Sequence, residues 1–328
     1  MAVLRLATYN LHGLRQGHEY FVDLCTNHDI VLIQEHWLAS FDLHKLDNVC
    51  DNMVCFSSSA MDKVISQGPL RGRPFGGVAI YVKQKFAQCT RLIKAADRYI
   101  IIMVNDVVVV NVYLPCGNDD FVQECYMECL ASIANDINDV DFANIIFGGD
   151  FNTDLTAGHY IKDYLISFVN DLGIVFVDDK IDRDSSRATF RVESTGAASC
   201  IDHFAVSHSL YDKILHVSIE DSGINLSDHC PVILKVQMPA PHSPTTRSKV
   251  VTHDEGHQLY FRWDKADMWH MVTGDKLSAV QAPTHLLTSV VSPDDAHASI
   301  NRFYVDIVEC LWHSSVSCVP QRKHNFFL

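Results

Sequence analysis

The 328-residue sequence lacks paired cysteines and long apolar runs. Its eleven cysteines are scattered without CxxC pairs or histidines at zinc-finger spacing, which argues against a structural zinc site and favours reduced thiols. No segment approaches the roughly 18 uninterrupted apolar residues of a membrane span, and the first residues do not form the apolar stretch of a signal peptide. We therefore expect a soluble protein of the nucleus or cytoplasm, with no membrane partner.

Basic residues are also few, because 26 Lys and Arg face 40 Asp and Glu, for a formal net charge of −14. This charge repels polyanions at long range and argues against a passive nucleic-acid-binding module. It leaves room for an enzyme that binds a metal ion and acts on phosphates. The sequence contains no GxSxG, P-loop or GxGxxG motif, so the common motif-bearing hydrolases and nucleotide-binding folds are excluded.

The first 238 residues repeat a pattern of apolar strand, polar strand end, and helix or loop. Helical spacing of apolar residues predicts a helix over 119–138, and Asn105-Asp106 predicts a tight turn between antiparallel strands. Segments rich in Val, Ile, Phe and Tyr predict strands at 3–10, 29–37, 76–83, 99–105, 107–115, 143–152, 199–207 and 230–238. Together with the 48% hydrophobic composition, the pattern predicts a sheet-rich α/β domain with a buried core.

The composition changes after residue 238. The segment PAPHSPTTRSK at 239–249 combines proline with small polar residues, which predicts a linker over 239–254. Residues 255–328 carry helical periodicity without strand alternation and are predicted to form a small, mainly helical tail.

Polar residues recur where the predicted strands end. After Ile145-Ile146-Phe147 and two glycines come Asp150, Asn152 and Asp154, at a position where open α/β sheets bind ligands. Each such residue alone is compatible with a turn, a helix cap or a core position. Their occurrence on separate strands predicts that one sheet edge gathers them. The other members of this set are Asn10, Glu35, Tyr113, Thr189, Ser199, Asp202, Asp228 and His229.

Oxygen-bearing side chains predominate in this set, which indicates a hard divalent cation. Mg²⁺ prefers oxygen ligands and takes only one or two protein carboxylates, the remaining positions being filled by water and phosphate oxygens. Glu35 fits such a ligand, with Asn10 and Asp228 expected close by. We expect Mg²⁺ as the cofactor, with Mn²⁺ as a possible substitute.

The remaining members supply groups for acid-base chemistry at phosphorus. Asp150, held beside the neutral Asn152, can orient or deprotonate a water molecule for in-line attack. His229 can stabilise charge on the phosphoryl oxygens if pairing with Asp202 keeps it protonated. The pattern predicts metal-assisted hydrolysis of a phosphate ester.

The motifs TYN, IQE, VYLP, GGDFN, CID and SDH follow one another in the order found in the endonuclease/exonuclease/phosphatase (DNase I-like) superfamily, which residues 1–238 resemble. This superfamily includes apurinic/apyrimidinic endonucleases, DNase I-like nucleases, inositol polyphosphate phosphatases and neutral sphingomyelinases. The resemblance implies an α/β fold, a four-layer sandwich of two packed mixed β-sheets flanked by helices. It also implies Mg²⁺-dependent hydrolysis of phosphodiesters or phosphomonoesters.

The resemblance assigns a role to each matched position. Many nucleases of the group have Asn after the YxP tripeptide where this chain has Cys116, so the missing donor is expected from elsewhere, with Asn118 as the candidate. The matched positions are the metal-site residues Asn10 and Glu35, the phosphate-binding Tyr113, the water-activating Asp150 and Asn152, the acid Asp202 that pairs with the catalytic histidine, and the closing Asp228-His229.

Within the superfamily, the sequence resembles the endonucleases of non-LTR (LINE-type) retrotransposons. GRPFGGVAIYVK at 72–83 resembles their glycine-rich loop and strand, in which Arg71 and Arg73 are candidate phosphate contacts unless the loop is only a flexible surface segment. RATF and SCIDHFAVS resemble the segments that carry their substrate-binding Thr and Ser, here Thr189 and Ser199. FRWDKADMW at 261–269 resembles a segment ahead of their reverse transcriptase, or else is an amphipathic helix that docks on the main domain.

This resemblance implies a function. It is the nicking of double-stranded DNA to leave a 3′-hydroxyl that primes reverse transcription, with a reverse transcriptase domain and the element RNA as partners in a longer polyprotein of which the chain is a fragment. Two alternatives stay open. The same fold serves phosphatases and phospholipases that act on inositol phosphates or sphingomyelin, and a degenerate copy would serve only as a non-catalytic scaffold.

Overall fold

The structure is a computed structural model that describes residues 3–238 apart from 69, 71, 118, 139, 158–159, 183–186 and 193. Beyond residue 238 it describes 259–261, 280, 295, 299, 302–303, 305–307, 310–311 and 321–323. The chain divides into two compact units, Met1–Pro244 and Thr245–Leu328. Arg71, Asn118, the predicted linker and most of the predicted tail lie outside the described residues.

Strands dominate the first unit. They are β1 Val3–Asn10, β2 Ile30–Gln34, β3 Met53–Ser58, β4 Val78–Lys83, β5 Thr90–Ala95, β6 Tyr99–Val104, β7 Val107–Tyr113, β8 Asn144–Asp150, β9 Ile174–Phe176, β10 Phe190–Val192, β11 Ala197–Ser199, β12 Asp202–Ser207, β13 Ile214–Ile219 and β14 Val232–Gln237. The helices are α1 Leu14–Asn27, α2 His44–Asp47, α3 Asp62–Ile65, α4 Asp120–Asn138, α5 Tyr160–Asp171 and α6 His208–Tyr211.

These strands form two mixed six-stranded sheets and one hairpin. The first sheet has the order β13-β14-β1-β2-β4-β3, and only β1 and β2 are parallel neighbours in it. The second has the order β5-β6-β7-β8-β12-β9, and only β7 and β8 are parallel. Strands β10 and β11 form a separate antiparallel hairpin.

All eight strands predicted from the sequence are present, and so is the predicted helix, as α4. The turn at Asn105-Asp106 joins β6 to β7, and Asn105 has the positive φ of 55° that such a tight turn requires. The strands that the sequence did not reveal are short or partly exposed. Their side chains give only a weak apolar alternation, as in β5 and β10.

The two sheets pack face to face and bury both surfaces of their central strands. In β7, Val107 and Val109 face the core between the sheets, whereas Val108 and Val110 face the helices behind the second sheet. Burial on both faces explains why this strand is apolar at successive positions rather than at alternate ones. The same holds for β2, in which all five residues are buried.

Helices cover the outer faces of both sheets. Helix α1 packs Tyr20, Phe21 and Leu24 against the outer face of the first sheet. Helices α4 and α5 pack residues such as Ile133 and Leu165 against the outer face of the second sheet. The resulting order of helix, sheet, sheet and helices confirms the expected α/β sandwich.

Two glycines let the core close around β8. A Cβ on Gly148 would lie 2.5 Å from the ring of Phe204 and 2.8 Å from Leu32 Cδ1, so the absent side chain leaves space for the facing sheet. A Cβ on Gly149 would lie 2.1 Å from the carbonyl oxygen of Val112 on the parallel neighbour, and its φ of 146° disfavours any L side chain. The glycine pair therefore permits the close packing that places Asp150 at the strand end.

A buried polar network crosses the apolar interface between the sheets. Asn111 on β7 donates from Nδ2 to the carbonyl oxygens of Ile33 (2.8 Å) and Ala79 (2.9 Å) in the opposite sheet. Its Oδ1 accepts a hydrogen bond from Gln34 Nε2 at 2.6 Å, and the same nitrogen donates to Thr8 Oγ1 at 3.0 Å. Buried hydrogen bonds are directional, so this network fixes the alignment of the two sheets.

In the second unit, Leu259–Phe261 and Gln321–Lys323 form an antiparallel pair, designated β15 and β16. The sequence of residues 255–328 has no strand alternation that would indicate this pair, because the pairing joins segments about 60 residues apart and leaves no local signal. Described residues between 295 and 311 are helical. The mainly helical character and the domain bounds stay predictions.

Among the described residues, no helix has both the length and the apolar composition needed to cross a membrane.

Asn111→Leu is expected to destabilise the protein by about 2–4 kcal/mol. The substitution keeps the branched side-chain shape but removes one hydrogen bond each from Gln34 Nε2 and from the carbonyl oxygens of Ile33 and Ala79 in the core. Urea denaturation measures the loss. The control Asn48→Leu removes an exposed amide that bonds the His44 carbonyl, and should cost less than about 0.5 kcal/mol. Equal losses of unfolding free energy in the two variants would show that the cross-sheet network contributes no more to stability than an exposed hydrogen bond does.

Asp29, at the start of β2, is buried beneath two basic side chains. Its carboxylate lies 2.7 Å from Lys85 Nζ and 3.3 Å from Arg5 Nε, and it also accepts the Arg5 backbone N–H at 3.0 Å. Burial would raise the pKa of Asp29, but these bonds outweigh it and lower the pKa. The ionised form is therefore favoured in the folded chain.

This lowered pKa predicts an acid-dependent stability. Asp29 stabilises the fold above the unfolded carboxyl pKa of about 3.9, and the contribution disappears as pH falls through the lower folded value. Asp29→Asn should therefore be less stable than the parent at neutral pH, with a difference that narrows below about pH 4. Urea denaturation across this range measures it. A difference in unfolding free energy between the two proteins that does not change with pH would contradict the lowered pKa of Asp29.

Candidate active site

The faces that the two sheets turn towards each other change from apolar to polar at one end. Along β1, Leu4 and Leu6 are followed on the same face by Thr8 and Asn10, because alternate residues of a strand share a face. The second sheet shows the same change. Strand β7 runs from Val107 and Val109 to Asn111 and Tyr113 on this face. Strand β8 runs from Ile146 through Gly148 to Asp150. The polar ends of the two sheets lie at the same end of the sandwich.

The sequence prediction that one sheet edge gathers the polar residues needs correction. The site lies where the ends of two different sheets face each other, and a single side chain spans them. Asn10 in the first sheet donates from Nδ2 to Glu35 Oε1 at 3.1 Å and to Asp150 Oδ2, in the second sheet, at 2.9 Å. The Asn10 Oδ1 accepts the backbone N–H of His12 at 3.0 Å, which fixes the orientation of the amide. Periodicity within each strand does not reveal which sheet a strand joins.

Glu35 follows β2 and is held on both carboxylate oxygens. Besides the bond from Asn10, its Oε2 accepts a hydrogen bond from Trp37 Nε1 at 2.8 Å. Burial would raise the pKa of Glu35, but hydrogen bonds from Asn10, Trp37 and Tyr113 lower it. Glu35 is therefore a preoriented carboxylate that stays ionised at neutral pH.

Strained backbone is concentrated around this carboxylate. In the described part of the chain, the non-glycine residues with positive φ are His12, Glu35, Trp37, Asn105 and Asn152. All except Asn105 lie at the site. A non-glycine residue in this conformation costs free energy, and its persistence indicates that the surrounding contacts hold it there.

The neutral His36 helps to hold this turn. It is buried between two hydrogen bonds, accepting from Leu38 N at Nδ1 and donating from Nε2 to the Ser58 carbonyl oxygen, both at 3.0 Å. Burial lowers the pKa of His36 to about 4, so the ring is uncharged. A Cβ on Gly77 would lie 2.3 Å from the ring, so only glycine fits against it.

Asp150 is almost completely buried at the end of β8. Its Oδ2 accepts the Asn10 amide, and its Oδ1 accepts the backbone N–H of Asn152 at 2.9 Å. Burial and the nearby charge of Asp202 raise the pKa of Asp150 to about 7, against the opposing effect of His229. A carboxyl group with this proton affinity is suited to take up a proton at neutral pH.

His229 lies between two aspartates. Its Nδ1 is 2.8 Å from Asp202 Oδ2, and its Nε2 is 4.0 Å from Asp150 Oδ2. Burial would lower the pKa of His229, but pairing with Asp202 and the charge of Asp150 raise it to about 10. The predicted pairing of His229 with Asp202 is therefore present, and the imidazolium faces Asp150. The ring of Phe190 packs on the imidazole with 4.9 Å between ring centroids.

Tyr113 closes the other side of the site at the end of β7. Burial and the charges of Glu35 and Asp150 raise the pKa of Tyr113, so its hydroxyl keeps its proton. The guanidinium of Arg98 lies 5.5 Å from the Tyr113 ring centroid and its Nη1 donates to the Tyr113 carbonyl oxygen at 3.4 Å. Tyr113 is thus a fixed hydrogen-bond donor beside the two carboxylates.

The donor set fits a cation. Asp150 and Asp202 lie opposite each other on the neighbouring strands β8 and β12, and Glu35 shares the Asn10 amide with Asp150. Among the described residues, no Lys or Arg forms an ion pair with Glu35, Asp150 or Asp202. Asp202 Oδ1 is buried and accepts no hydrogen bond from any residue that the structure describes. The surplus of carboxylate oxygens matches the ligand preference of a hard divalent ion.

Two other predicted residues lie beside this centre. Asp228 lies with Oδ1 2.9 Å from His12 Nδ1, and its role as a metal ligand stays a prediction. Asn152 donates from Nδ2 to the Leu114 carbonyl oxygen at 2.8 Å, which ties the loop after β8 to the end of β7.

Of the residues predicted to contact substrate, Thr189 requires correction. Its side chain is fully buried and its hydroxyl oxygen accepts the backbone N–H groups of Ile201 and Asp202, both at 3.0 Å. It supports the start of β12 and cannot reach a substrate.

Ser199 is half-buried on β11 and lines a cavity next to the site. Arg73 is exposed, with its guanidinium 4.8 Å from the Trp37 ring centroid. Arg71 and Asn118 lie outside the described residues.

Sequence reasoning missed Trp37 and His12. Trp37 bonds Glu35, and the His12 ring packs on Trp37 with 5.0 Å between centroids. Trp37 follows Glu35 by two positions in IQEHW, but a tryptophan after a strand is more often a core residue. Only the turn geometry directs its indole N–H back to the carboxylate.

An open cavity of about 990 Å³ adjoins Asp228 on the side of the β10–β11 hairpin. Its lining mixes charged and small residues, among them Asp154, Arg187, Arg191, Cys200 and Asp228. The hairpin is joined to the site through Phe190, and Arg191 donates its backbone N–H to the Asp228 carbonyl oxygen at 2.9 Å. The cavity therefore lies beside the segment that carries His229, since Ser227, Asp228 and Cys230 line it.

The fold has solved counterparts, although a search of curated proteins finds no match. A 3′ phosphatase from Neisseria bound to a product DNA hairpin aligns with a TM-score of 0.55 and 17% identity over 72% of this chain and 100% of that chain. An AP endonuclease from Archaeoglobus fulgidus aligns with a TM-score of 0.53 and 18% identity, again over 72% and 100%. An AP endonuclease from Leishmania major gives 0.56 and 14% over 72% and 88%.

These structures share the fold of the chain at low identity, and a family model adds a match at the level of sequence. The matched residues, 7–229, include Asn10, Glu35, Asp150, Asp202 and His229 and account for more than half of the chain. The chain therefore belongs to the endonuclease/exonuclease/phosphatase family.

Proposed function

We propose that the chain is a Mg²⁺-dependent endonuclease that nicks one strand of double-stranded DNA and leaves a 3′-hydroxyl. The observation that carries this proposal is the buried Asp202–His229–Asp150 row, with His229 2.8 Å from one carboxylate and 4.0 Å from the other. A base and a cationic donor are thereby aimed at the same small volume.

Asp150 is the proposed base. Its raised pKa of about 7 lets the carboxylate accept a proton from a water molecule at neutral pH while that water molecule attacks phosphorus. The new bond joins the water oxygen to phosphorus, and the bond between phosphorus and the 3′-oxygen breaks. The products are a 5′-phosphate and, after proton uptake by the departing oxygen, a 3′-hydroxyl.

His229 and Tyr113 are the proposed stabilisers of the charge that develops on the phosphoryl oxygens. His229 is held as an imidazolium by Asp202, and Tyr113 keeps its hydroxyl proton because burial and two carboxylates raise its pKa. Preoriented donors in a buried site stabilise such charge more than water does, since they need no reorganisation.

Glu35, with Asn10 and Asp150 beside it, is the proposed Mg²⁺ site. When bound there, the ion would polarise a phosphate oxygen and offset the surplus of carboxylates. Glu35 is suited to this role because hydrogen bonds on both oxygens keep it ionised and oriented.

DNA is proposed as the substrate on two grounds. One structurally similar protein is a 3′ phosphatase bound to a product DNA hairpin, and two others are AP endonucleases. In this chain, exposed Arg73 stands on one side of the site. Arg191, which also pairs with Asp221 at 3.3 Å, lies on the hairpin side, so basic side chains are present on both sides of the centre despite the net charge of −14. The order of motifs and the 72–83 loop support the endonuclease of a LINE-type retrotransposon, with its reverse transcriptase domain and element RNA as proposed partners.

A phosphatase or phospholipase of the same fold is the second candidate. The acidic net charge favours a substrate smaller than a DNA duplex, and Ile224 and Leu226 expose apolar side chains on the loop before Asp228. A non-catalytic copy is disfavoured, because Asn10, Glu35, Asp150 and His229 make the contacts that the reaction needs.

With Mg²⁺, the parent protein is expected to convert supercoiled plasmid into open circles. Asp150→Asn should lower the rate by at least about 10³-fold and His229→Gln by about 10²- to 10³-fold, because they remove the base and the cationic donor. Direct sealing by DNA ligase and direct extension by DNA polymerase check for the 5′-phosphate and the 3′-hydroxyl.

Matched controls are available at the other end of the first sheet. Asp29→Asn and His28→Gln alter a buried aspartate and a buried histidine there, and nicking by each should stay close to the parent rate at a temperature where both are folded. Nicking that survives Asp150→Asn would refute the proposal. Release of phosphate or phosphocholine from inositol phosphates or sphingomyelin without nicking would favour the second candidate.

Glu35→Gln is expected to raise the Mg²⁺ concentration for half-maximal nicking by roughly tenfold or more, because it removes a charged ligand. Chelation by EDTA should abolish nicking and added Mg²⁺ should restore it. A Mg²⁺ titration of the parent, of Glu35→Gln and of the exposed control Glu124→Gln measures the shift. An unchanged Mg²⁺ requirement in Glu35→Gln would remove Glu35 from the metal site.

A further inference from the structure

The loop that precedes β14 carries Asp228 and His229, and the side chain of Asn225 is one of its anchors. The Asn225 Oδ1 accepts hydrogen bonds from the hydroxyl of Tyr9 at 2.6 Å and from the backbone N–H of Ser227 at 3.0 Å. Its Nδ2 donates to the carbonyl oxygen of His229 at 2.7 Å. The amide thus links strand β1 to the backbone of His229.

Ser227 makes a second link between the same two elements. Its hydroxyl donates to the carbonyl oxygen of Asn10 at 2.8 Å and accepts the backbone N–H of His229 at 3.1 Å. Both backbone groups of His229 are therefore bound to side chains that are themselves fixed to Tyr9 and Asn10.

Tyr9 is a firm anchor for this loop. It is fully buried against α1, with its ring 5.5 Å from that of Tyr20. Burial raises the pKa of Tyr9, so the hydroxyl keeps its proton at neutral pH and donates to Asn225. Tyr9 and Asn10 point to opposite faces of β1, so one dipeptide orients His229 from one face and the carboxylates Glu35 and Asp150 from the other.

Burial of apolar side chains does not place this loop. The side chains of Ile224 and Leu226, on either side of Asn225, are 38% and 63% exposed. A loop that exposes its apolar residues lacks the packing that fixes a core segment, and hydrogen bonds hold it instead. The bonds of Asn225 and Ser227 fix the backbone of His229. Backbone N–H groups of Arg191 and Cys230 add bonds on the hairpin side, to the carbonyl oxygens of Asp228 and Thr189.

We propose that Asn225 is a positioning residue that, anchored by the Tyr9 hydroxyl, holds His229 at its distance from Asp150. The inference rests on the proposed function, because it assigns to Asn225 an effect that acts through His229. The alternative is a loop-stabilising role without consequence for the reaction. The two differ in whether the effect of Asn225 disappears when His229 is absent.

Nicking kinetics test this difference. Asn225→Ala should lower kcat by roughly 10- to 100-fold with little change in KM, because a displaced catalytic group weakens transition-state contacts more than substrate binding. Tyr9→Phe should lower kcat in the same direction by less, since Asn225 keeps its bonds to Ser227 and His229. In the His229→Gln background, Asn225→Ala should add no further loss.

The controls remove comparable groups away from the site. Tyr99→Phe deletes a tyrosine hydroxyl that donates to Asp136 at 2.7 Å, and Asn144→Ala deletes a buried amide at the opposite end of β8. Both should keep the parent kcat. Equal kcat for Asn225→Ala and the parent, or a loss that multiplies with that of His229→Gln, would overturn the inference.

A second measurement does not depend on nicking. The rate of modification of His229 by diethyl pyrocarbonate, followed by mass spectrometry, should rise several-fold in Asn225→Ala relative to that of buried His28. An unchanged ratio overturns the positioning role. If the parent protein fails to nick DNA but the ratio rises, the proposed function fails while the positioning of His229 by Asn225 stands.

Discussion

The hydrogen bonds of the Asn111 amide cross the largely apolar interface between the sheets, and the geometry of the site depends on them. Apolar packing alone tolerates sliding between two sheets, because dispersion contacts have little directionality. Asn111 reaches two carbonyl oxygens of the facing sheet, and Asn10 reaches a carboxylate of the opposite sheet nearer the site. The sheets are therefore aligned by bonds that have one satisfactory arrangement, and this alignment fixes the relative positions of the candidate active-site residues of the two sheets.

The electrostatics of the site follow from where the carboxylates lie. Asp150 and Asp202 are almost fully buried, and the imidazolium of His229 is the positive group between them. Burying like charges together is unfavourable, and the protein tolerates it through oriented N–H donors, chiefly the Asn10 amide and the Asn152 backbone. The unequal environments separate the proton affinities of Glu35 and Asp150, which leaves one permanent carboxylate and one that exchanges a proton near neutrality.

The sequence was sufficient to predict the central strands, because burial on both faces makes them apolar at successive positions, as in β2 and β7. It also indicated which polar residues follow those strands. It did not indicate that the residues belong to two sheets, since strand periodicity carries no information on pairing order. The error over Thr189 has a similar origin, because only coordinates show that its hydroxyl is occupied by backbone N–H groups. The roles of Asn225 and Trp37 could not be predicted from the sequence, because they depend on contacts with residues that the turns bring close.

The position of β14 has a consequence for biosynthesis. This strand contributes the last segment of the first sheet along the chain, yet it lies in the interior of that sheet, between β13 and β1. A ribosome-bound chain that has not reached residue 229 has neither the histidine nor the strand that completes the sheet around Asn10. The centre is thus assembled only after nearly all of the first unit has been translated, and shorter nascent chains carry the carboxylates without the imidazole beside them.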